Sequence, residues 1–202
     1  LRIYVGNNSL IEDNEISYNV AHDAGGGIKM SHAEGHFRDN TVVGNITGDR
    51  GGGIELDNDT TTIEGCLVQG NTAALGGGLH SQLNHSDQII QDSSFIDNAA
   101  EDGGGIMLEE DAYRVTLERL VLTGNTAEKG GALYGLDSTV WGYNLIAAQN
   151  SASAEGGGVA LDGSYAMFAN NTLWANAAPS GAGFPLRDNG SLTLRDSILA
   201  EH

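Results

Sequence analysis

Residues 95–106 read FIDNAAEDGGGI, and this stretch contains the pattern that decides the fold. An asparagine, Asn98, is followed five residues later by a run of three glycines that begins at Gly103. Glycine clusters of this kind occur seven times, with spacings of 26, 25, 27, 27, 26 and 25 residues. A fixed period of this length is typical of a solenoid, in which each repeat forms one turn of a stack. The clusters begin at Gly25, Gly51, Gly76, Gly103, Gly130, Gly156 and Gly181.

Each repeat also contains short segments in which apolar and polar residues alternate. Phe95 lies three positions before Asn98, and Ile106 follows the glycines directly. Alternation with period two predicts strands, and no stretch keeps a helical period for about ten residues. We therefore predict an all-β chain folded as a right-handed parallel β-helix of about seven to eight coils, with three short strands in each coil of about 26 residues.

The repeated asparagines and glycines are expected to serve the fold. An asparagine at an inward bend of every coil would pass side-chain hydrogen bonds along the stack and satisfy backbone groups of the bend. Glycines permit positive φ angles and close approach of neighbouring backbones. A phosphate-binding loop is excluded because such loops open a helix, and no helical pattern follows the glycines. The asparagines are Asn19, Asn45, Asn71, Asn98, Asn125, Asn150 and Asn176.

Composition excludes several classes of protein. The chain has 202 residues with 30 glycines, 2 prolines, 1 cysteine and a net charge of −18. Collagen is excluded because glycine does not recur at every third position and proline is scarce, and the single cysteine excludes a disulfide scaffold. No apolar run is long enough for a membrane helix. The negative charge argues against nucleic acid or an anionic membrane as a partner.

Two segments resemble repeats of known bacterial surface proteins. Residues 95–98 (FIDN) followed by 103–106 (GGGI), and residues 122–125 (LTGN) followed by 130–133 (GGAL), resemble the FxxN and GGA(I/L/V) repeats of chlamydial polymorphic outer-membrane proteins. They are also similar to the GGG repeats of surface-anchored passengers in the pectin-lyase-like superfamily. The resemblance covers residues 1–202. It implies a secreted or surface-displayed bacterial β-helix that is the passenger of a longer protein.

Acidic residues recur at two positions of the repeat and form candidate metal sites. One set lies just before the glycine clusters, and the other follows the strand after the glycines. Carboxylates that stack at the strand spacing repel one another, and clustered carboxylate oxygens suit Ca²⁺, which takes six to eight oxygen ligands. The alternative is that they are exposed turn residues. The candidate calcium ligands are Asp23, Asp49, Asp57, Asp59, Glu101, Glu109, Glu110, Asp111 and Glu128.

Three further sets of residues carry predictions about exposure. Lys29, Glu55 and His80 occupy equivalent positions in successive coils and are expected to form a solvated, self-paired ladder. Cys66 is expected to be buried as a small apolar residue. The side chains expected to be exposed as platforms for sugar rings are Tyr134, Trp141 and Trp174.

The regular repeat favours a rigid, non-catalytic scaffold for adhesion or structure over an enzyme, because the spacings leave no room for a long inserted loop over one face. The alternatives are a carbohydrate-binding module and a polysaccharide-active enzyme of the lyase, epimerase or hydrolase type. Inverting hydrolysis needs two carboxylates about 6.5–9.5 Å apart. Carboxylates two coils apart, at about 9.6 Å, would lie near the upper limit of that range. The candidate catalytic carboxylates are Asp57 or Asp59 with Glu109 or Glu110.

The ends of the sequence bear on domain organisation. Residues 1–5 (LRIYV) already read as a strand, and the chain stops within a repeat near Ile198. We therefore expect residues 1–202 to form a single β-helix domain that is a fragment of a longer protein or that associates end to end. The expected location is extracellular or on the cell surface. The expected partner is a host protein, a cell-surface protein or a polysaccharide, and the only expected cofactor is Ca²⁺.

Overall fold

The computed structural model describes residues 2–3, 9–32, 34–84, 86–111, 113–188 and 190–200. Over these residues the chain is all-β, without a helix, and it winds as a parallel β-solenoid. Each repeat contributes one strand to each of three parallel sheets of eight strands. The prediction of a β-helix with three short strands per coil is confirmed. Leu1, Tyr4, Val5 and His202, on which part of the expectation about the chain ends rests, lie outside the described residues.

The three sheets run along the length of the solenoid. Sheet A begins with Arg2–Ile3 and continues with the seven strands that follow the glycine clusters, which are Ile28–Ser31, Ile54–Asp57, Leu79–Gln82, Ile106–Glu109, Leu133–Leu136, Val159–Asp162 and Leu186–Arg187. Sheet B contains Ser9–Glu12, Gly35–Arg38, Thr62–Glu64, Gln88–Gln91, Arg114–Glu118, Thr139–Tyr143, Tyr165–Ala169 and Ser191–Arg195. Sheet C contains Glu15–Ser17, Thr41–Val43, Leu67–Gln69, Ser94–Ile96, Val121–Thr123, Ile146–Ala148, Thr172–Trp174 and Ile198–Ala200.

Two shorter pairings lie between sheet C and the glycine clusters. Val20–Ala21 pairs with Ile46–Thr47, and Thr126–Lys129 pairs with Ser151–Glu155. Isolated parallel bridges continue this row of the stack at other turns, as between Thr72 and Ala99. The segment before each glycine cluster is therefore held in the same register as the main sheets.

The interior is one continuous apolar core formed by residues that repeat in register. Ile54 pairs with Leu79, and Leu79 pairs with Ile106. All three are fully buried, as is Phe95 on sheet C. Cys66 is 2% exposed and packs in the same core, so the prediction that it is buried is confirmed. Burial raises the pKa of its thiol to about 11.

A ladder of asparagines lines one inner bend of the solenoid. The Nδ2 of Asn98 donates to Asn125 Oδ1 at 3.0 Å and to the carbonyl oxygen of Val68 at 3.0 Å. The Oδ1 of Asn98 accepts from the backbone N–H and from the Nδ2 of Asn71, each at 3.0 Å. The same bonds recur along the ladder from Asn19 to Asn176. The predicted asparagine stack is confirmed, and it satisfies backbone groups that the bend would otherwise leave unpaired.

The glycine clusters form the next bend, where the backbones of successive turns touch. Gly51 has a φ angle of +64°, which strains any residue that has a Cβ atom. A Cβ atom at Gly53 would lie 2.6 Å from the carbonyl oxygen of Gly78 in the next turn. The glycines are therefore required by backbone conformation at one position and by close approach at another.

Candidate binding groove on sheet A

A ridge of chain stands beside the outer face of sheet A. It is formed by the segment between each asparagine and the following glycine cluster, and parallel bridges connect its successive turns. We call this row of residues the ridge: Arg50, Leu75, Asp102, Lys129, Glu155 and Ser180. Because the ridge rises next to the sheet, it covers side chains that the strand pattern directs outward.

The central outward column of sheet A forms the floor of a groove next to the ridge. Parallel pairing places its residues directly above one another in successive turns. Glu55 and His80 are fully buried, and the Lys29 side chain is 15% exposed. The expectation of a solvated ladder at Lys29, Glu55 and His80 is therefore wrong, although the residues do pair with each other. The floor consists of Lys29, Glu55, His80, Met107, Tyr134 and Ala160.

A pocket of about 450 Å³ opens at the N-terminal end of the groove. One side is formed by residues 21–25 and the other by strands of sheet A. Its size lies within the range of sites that bind small ligands. The side chains that bring hydrogen-bonding groups to the pocket are His22, Asp23, Lys29, Asp49, Arg50, Asp57 and Gln82.

The charged and polar side chains of the pocket form ion pairs and hydrogen bonds with one another. The Nζ of Lys29 lies 2.9 Å from Asp57 Oδ2, and Gln82 Nε2 donates to Asp57 Oδ1 at 3.1 Å. Arg50 donates to the side-chain oxygen of Gln82, and its Nε lies 3.5 Å from Asp49 Oδ1. Burial alone would raise the pKa of Asp57, but the hydrogen bonds from Lys29 and Gln82 outweigh it and hold the pKa below its usual value. Asp57 is therefore ionised and engaged at neutral pH.

A histidine between two carboxylates lies at the floor beside the pocket. His80 Nδ1 lies 3.0 Å from Glu55 Oε2, and His80 Nε2 lies 3.2 Å from Glu109 Oε2. Burial alone would lower the pKa of His80, but the hydrogen bonds to Glu109 and Glu55 raise it above the ordinary value. The hydrogen bond from His80 lowers the pKa of Glu109 against the opposing effect of burial. The line of three residues joins three successive turns.

The middle of the groove is apolar. Met107, Tyr134 and Ala160 form a buried cluster against which Leu75 of the ridge and Leu136 pack. Tyr134 is 3% exposed, so the expectation that it is an exposed platform is wrong. Burial raises the pKa of its hydroxyl, which lies 3.5 Å from Asp162 Oδ2.

The other two aromatic candidates lie on different faces. Trp141 lies on sheet B, where the Arg114 guanidinium packs over its ring at 4.4 Å and Tyr143 meets it edge to face at 6.5 Å. Trp174 lies on sheet C and is 41% exposed. The three aromatic residues therefore do not share one surface.

The nine candidate calcium ligands fall into three groups. Five are exposed, namely Asp23, Asp49, Glu101, Glu110 and Glu128. Asp57 and Glu109 are partly buried and bind Lys29 and His80 respectively. Asp59 and Asp111 are fully buried. The structure does not bring the nine together, and no group of three or more His, Cys, Asp or Glu side chains within the described ranges is arranged to hold a metal ion.

Asp59 and Asp111 serve a bend rather than an outer surface. Asp59 Oδ1 accepts from the backbone N–H of Thr61 at 2.8 Å. Asp111 Oδ1 accepts from the backbone N–H of Asn84 at 3.2 Å, and its own N–H donates to Ser138 Oγ at 3.2 Å. The alternative that both are exposed turn residues is therefore wrong. Burial raises the pKa of Asp111 to about 6.

Of the predicted catalytic pairs, only Asp57 with Glu109 has both carboxylates on the outer face of sheet A. Asp57 and Glu109 lie in one column two turns apart, with Gln82 between them. Asp59 is inside the bend, and Glu110 has a φ angle of +51° and points to solvent. Both remaining carboxylates are already held by a basic partner, so neither is free to act on a ligand without exchanging that partner.

Sequence reasoning missed the burial of Glu55 and His80. It also missed the acidic residues around Tyr134, which are Asp102, Glu155 and Asp162. Burial raises the pKa of Asp102, which lies on the ridge, and nearby Glu128 and Glu101 add to the effect. The available signal was the apolar ridge residue Leu75, which occupies the position of Arg50 and Asp102 in neighbouring turns. An apolar residue there indicates that the ridge packs against the sheet.

Comparisons with known proteins bear on the fold. A family model described as "right handed beta helix region" matches residues 1–141. The handedness of this family agrees with the predicted right-handed solenoid. No curated protein and no solved structure matches the chain. In the described residues there is no helix of the length and hydropathy that a membrane crossing requires.

Proposed function

The chain belongs to the right-handed β-helix family, and on that premise we propose that it is a rigid, non-catalytic module that binds a saccharide in the groove on sheet A. In this proposal the module acts at the cell surface or outside the cell, in adhesion or as a structural scaffold. The surface location rests on the resemblance of its FxxN and GGG repeats to those of bacterial surface proteins of the pectin-lyase-like superfamily.

The observation that carries the proposal is the mutual pairing of charges at the pocket. Lys29 is bound to Asp57, and His80 is bound to both Glu55 and Glu109. General acid–base catalysis needs a group that is free to exchange a proton with the substrate. A paired network instead offers fixed donors and acceptors, which favours binding over turnover.

The chemistry of the pocket favours a neutral, hydroxyl-rich ligand. Lys29 and Arg50 supply donors, Asp57 supplies acceptors, and Gln82 supplies both. A sugar hydroxyl both donates and accepts, so it fits such a mixed lining. A polyanion is disfavoured because the chain carries a net charge of −18.

Binding of purified chain to immobilised polysaccharides tests the proposal. We expect retention on at least one neutral polysaccharide and weaker retention on polyuronates, with no release of reducing or unsaturated ends. Absence of binding to every neutral polysaccharide in the panel would contradict the proposal.

A polysaccharide-active enzyme is the second candidate, and the histidine between two carboxylates favours it. Glu55, His80 and Glu109 combine an imidazole with two carboxylates beside a ligand-sized pocket, as acid–base chemistry requires. His80 is fully buried, so this function also requires the groove to open. Product release that is lost in Asp57→Asn and Glu109→Gln, but kept in Arg38→Ala on sheet B, would establish the enzyme and refute the binding module.

A further inference from the structure

The position of His80 constrains its protonation state. Each of its ring nitrogens faces a carboxylate oxygen, Glu55 at 3.0 Å and Glu109 at 3.2 Å. A neutral imidazole has one N–H group and one lone pair, so one of these two contacts would set a lone pair against a carboxylate. Both contacts are attractive only when the three groups share one proton more than a neutral imidazole between two carboxylates provides. The raised pKa of His80 and the lowered pKa of Glu109 favour that proton on the ring, as an imidazolium.

The surrounding charges lead to the same conclusion. Lys29 Nζ lies 2.9 Å from Asp57 and 3.9 Å from Glu55, and Arg50 acts electrostatically on Glu109. Asp49 lies 3.5 Å from Arg50 Nε, so the network contains four acidic groups against two basic side chains. A proton on His80 supplies a third positive charge to this acidic network. Asp111, buried at the adjoining bend, also lies within electrostatic range of His80.

Burial makes this charge balance important for stability. The side chains of His80 and Glu55 are both 0% exposed, and that of Glu109 is 25% exposed. If His80 loses one proton, the neutral imidazole keeps a single N–H, so only one of the two carboxylates retains a hydrogen bond from the ring and the other faces a lone pair. An unpaired buried carboxylate is strongly unfavourable. The three residues belong to three successive strands of sheet A, so their interaction ties those strands together.

We propose that His80 is a proton-dependent clasp that joins three paired strands of sheet A through their side chains beneath the pocket, and that this connection weakens when His80 loses its proton. The clasp adds pH sensitivity to the module. It does not depend on which ligand the groove takes, so it can be tested without one.

The direction of the pH dependence follows from the two shifted groups. The pKa of His80 is raised in the folded chain, so its contribution is fully present below about pH 6.5 and is lost as the pH rises through the folded pKa. The pKa of Glu109 is lowered, so its contribution is present above its unfolded value of about 4.3 and is lost as the pH falls through the folded pKa. The clasp therefore operates from weakly acidic to neutral pH.

An NMR titration of the histidine ring protons tests the protonation state directly. We expect the His80 signal to titrate above about pH 6.5, the ordinary value for histidine. The exposed His22 and His36 provide reference signals in the same spectra. A His80 ring that is neutral at pH 6.5 would overturn the proposal.

Urea unfolding at several pH values tests the consequence for the fold. Between about pH 6 and about pH 9 we expect the midpoint of the wild-type chain to fall. The fall should be absent in His80→Gln, which cannot carry the proton, and should persist in Arg38→Ala on sheet B. If His80→Gln does not fold, Glu109→Gln gives the same test, because loss of one carboxylate should move the fall to lower pH. A fall of equal size and position in wild type and in the folded variant would overturn the clasp.

Discussion

The asparagine ladder and the groove floor are both columns of side chains stacked in register along the solenoid, but they differ in how far their residues are repeated. The ladder contains the same residue in seven successive repeats, whereas the floor changes from Lys29 through Glu55 and His80 to Met107 and Tyr134. Each ladder asparagine bonds backbone groups of two turns, as Asn98 does with Val68 and Asn71. The charged floor residues instead contact other side chains, as His80 does with Glu55 and Glu109. Uniformity therefore marks the part that holds the fold, and variation marks the part that is available for function.

Asn98→Ala should have the largest effect, because it tests the ladder at its centre. Removing the amide takes the side-chain partner from two buried backbone groups, the carbonyl of Val68 and the N–H of Asn71. Asn125 Oδ1 still accepts from the backbone N–H of residue 98. Each unpaired buried group costs about 1–3 kcal/mol, so for these two groups we expect a loss of about 2–6 kcal/mol in the free energy of unfolding, measured with urea. The matched control is Asn19→Ala at the exposed end of the ladder, where the loss should be much smaller. Equal losses at both positions would contradict the role assigned to burial.

Glu55→Gln should have a smaller effect, because it removes a charge from the floor but keeps the shape of the side chain. His80 would then face one carboxylate instead of two. We expect a loss of about 1–2 kcal/mol in the free energy of unfolding near pH 6. Glu12→Gln, which removes the exposed partner of Arg38 on sheet B, is the matched control. A floor variant no less stable than this control would show that the floor charges do not stabilise the fold.

Removal of calcium should have a smaller effect still. Asp23 lies near Asp49 in adjacent turns, and Glu101 near Glu128, and all four are exposed. A bound cation would relieve the repulsion by about 0.5 kcal/mol in each of the two pairs, or about 1 kcal/mol in all, which corresponds to a fall of about 2–4 °C in Tm on chelation. The double variant Glu101→Gln, Glu128→Gln should show a reduced response. If the chelator leaves the Tm unchanged, bound calcium does not stabilise the fold.

Arg38→Ala should have the smallest effect on the free energy of unfolding. Its Nε lies 2.7 Å from Glu12 Oε2, but both side chains are exposed on the outer face of sheet B. Solvent screens such a pair, and the freed side chains regain conformational entropy. Thermal unfolding should therefore place this variant close to wild type. A loss of unfolding free energy as large as that of Glu55→Gln would contradict the claim that buried charge pairs stabilise the fold more than exposed ones.

The repeating parts of the molecule could be predicted from the sequence, and the parts specific to one turn could not. The period and the alternation of apolar residues specified the strands, the inward Phe95 and the ladder through Asn98. The bends were less predictable, because alternation with period two does not continue through them. Asp59 and Asp111 were therefore assigned to the outer surface, although they cap buried backbone groups.

The prediction that Glu55 and His80 are exposed failed for a different reason. The strand pattern correctly directs both side chains away from the core, but the ridge then covers them. That cover is a tertiary contact between a strand and a segment of neighbouring turns, which the pattern of a single strand does not contain. The pocket beside Lys29 arises from the same contact and was not predicted.

The central claim is that the ladder holds the fold and the groove binds the ligand. The most direct test is a binding titration of a neutral polysaccharide against the double variant Lys29→Met, Asp57→Leu, which removes both partners of the ion pair in the pocket. We predict that the variant unfolds cooperatively near the wild-type urea concentration and loses at least about tenfold in affinity, or about 1.4 kcal/mol. Unchanged affinity in a folded variant would contradict the claim.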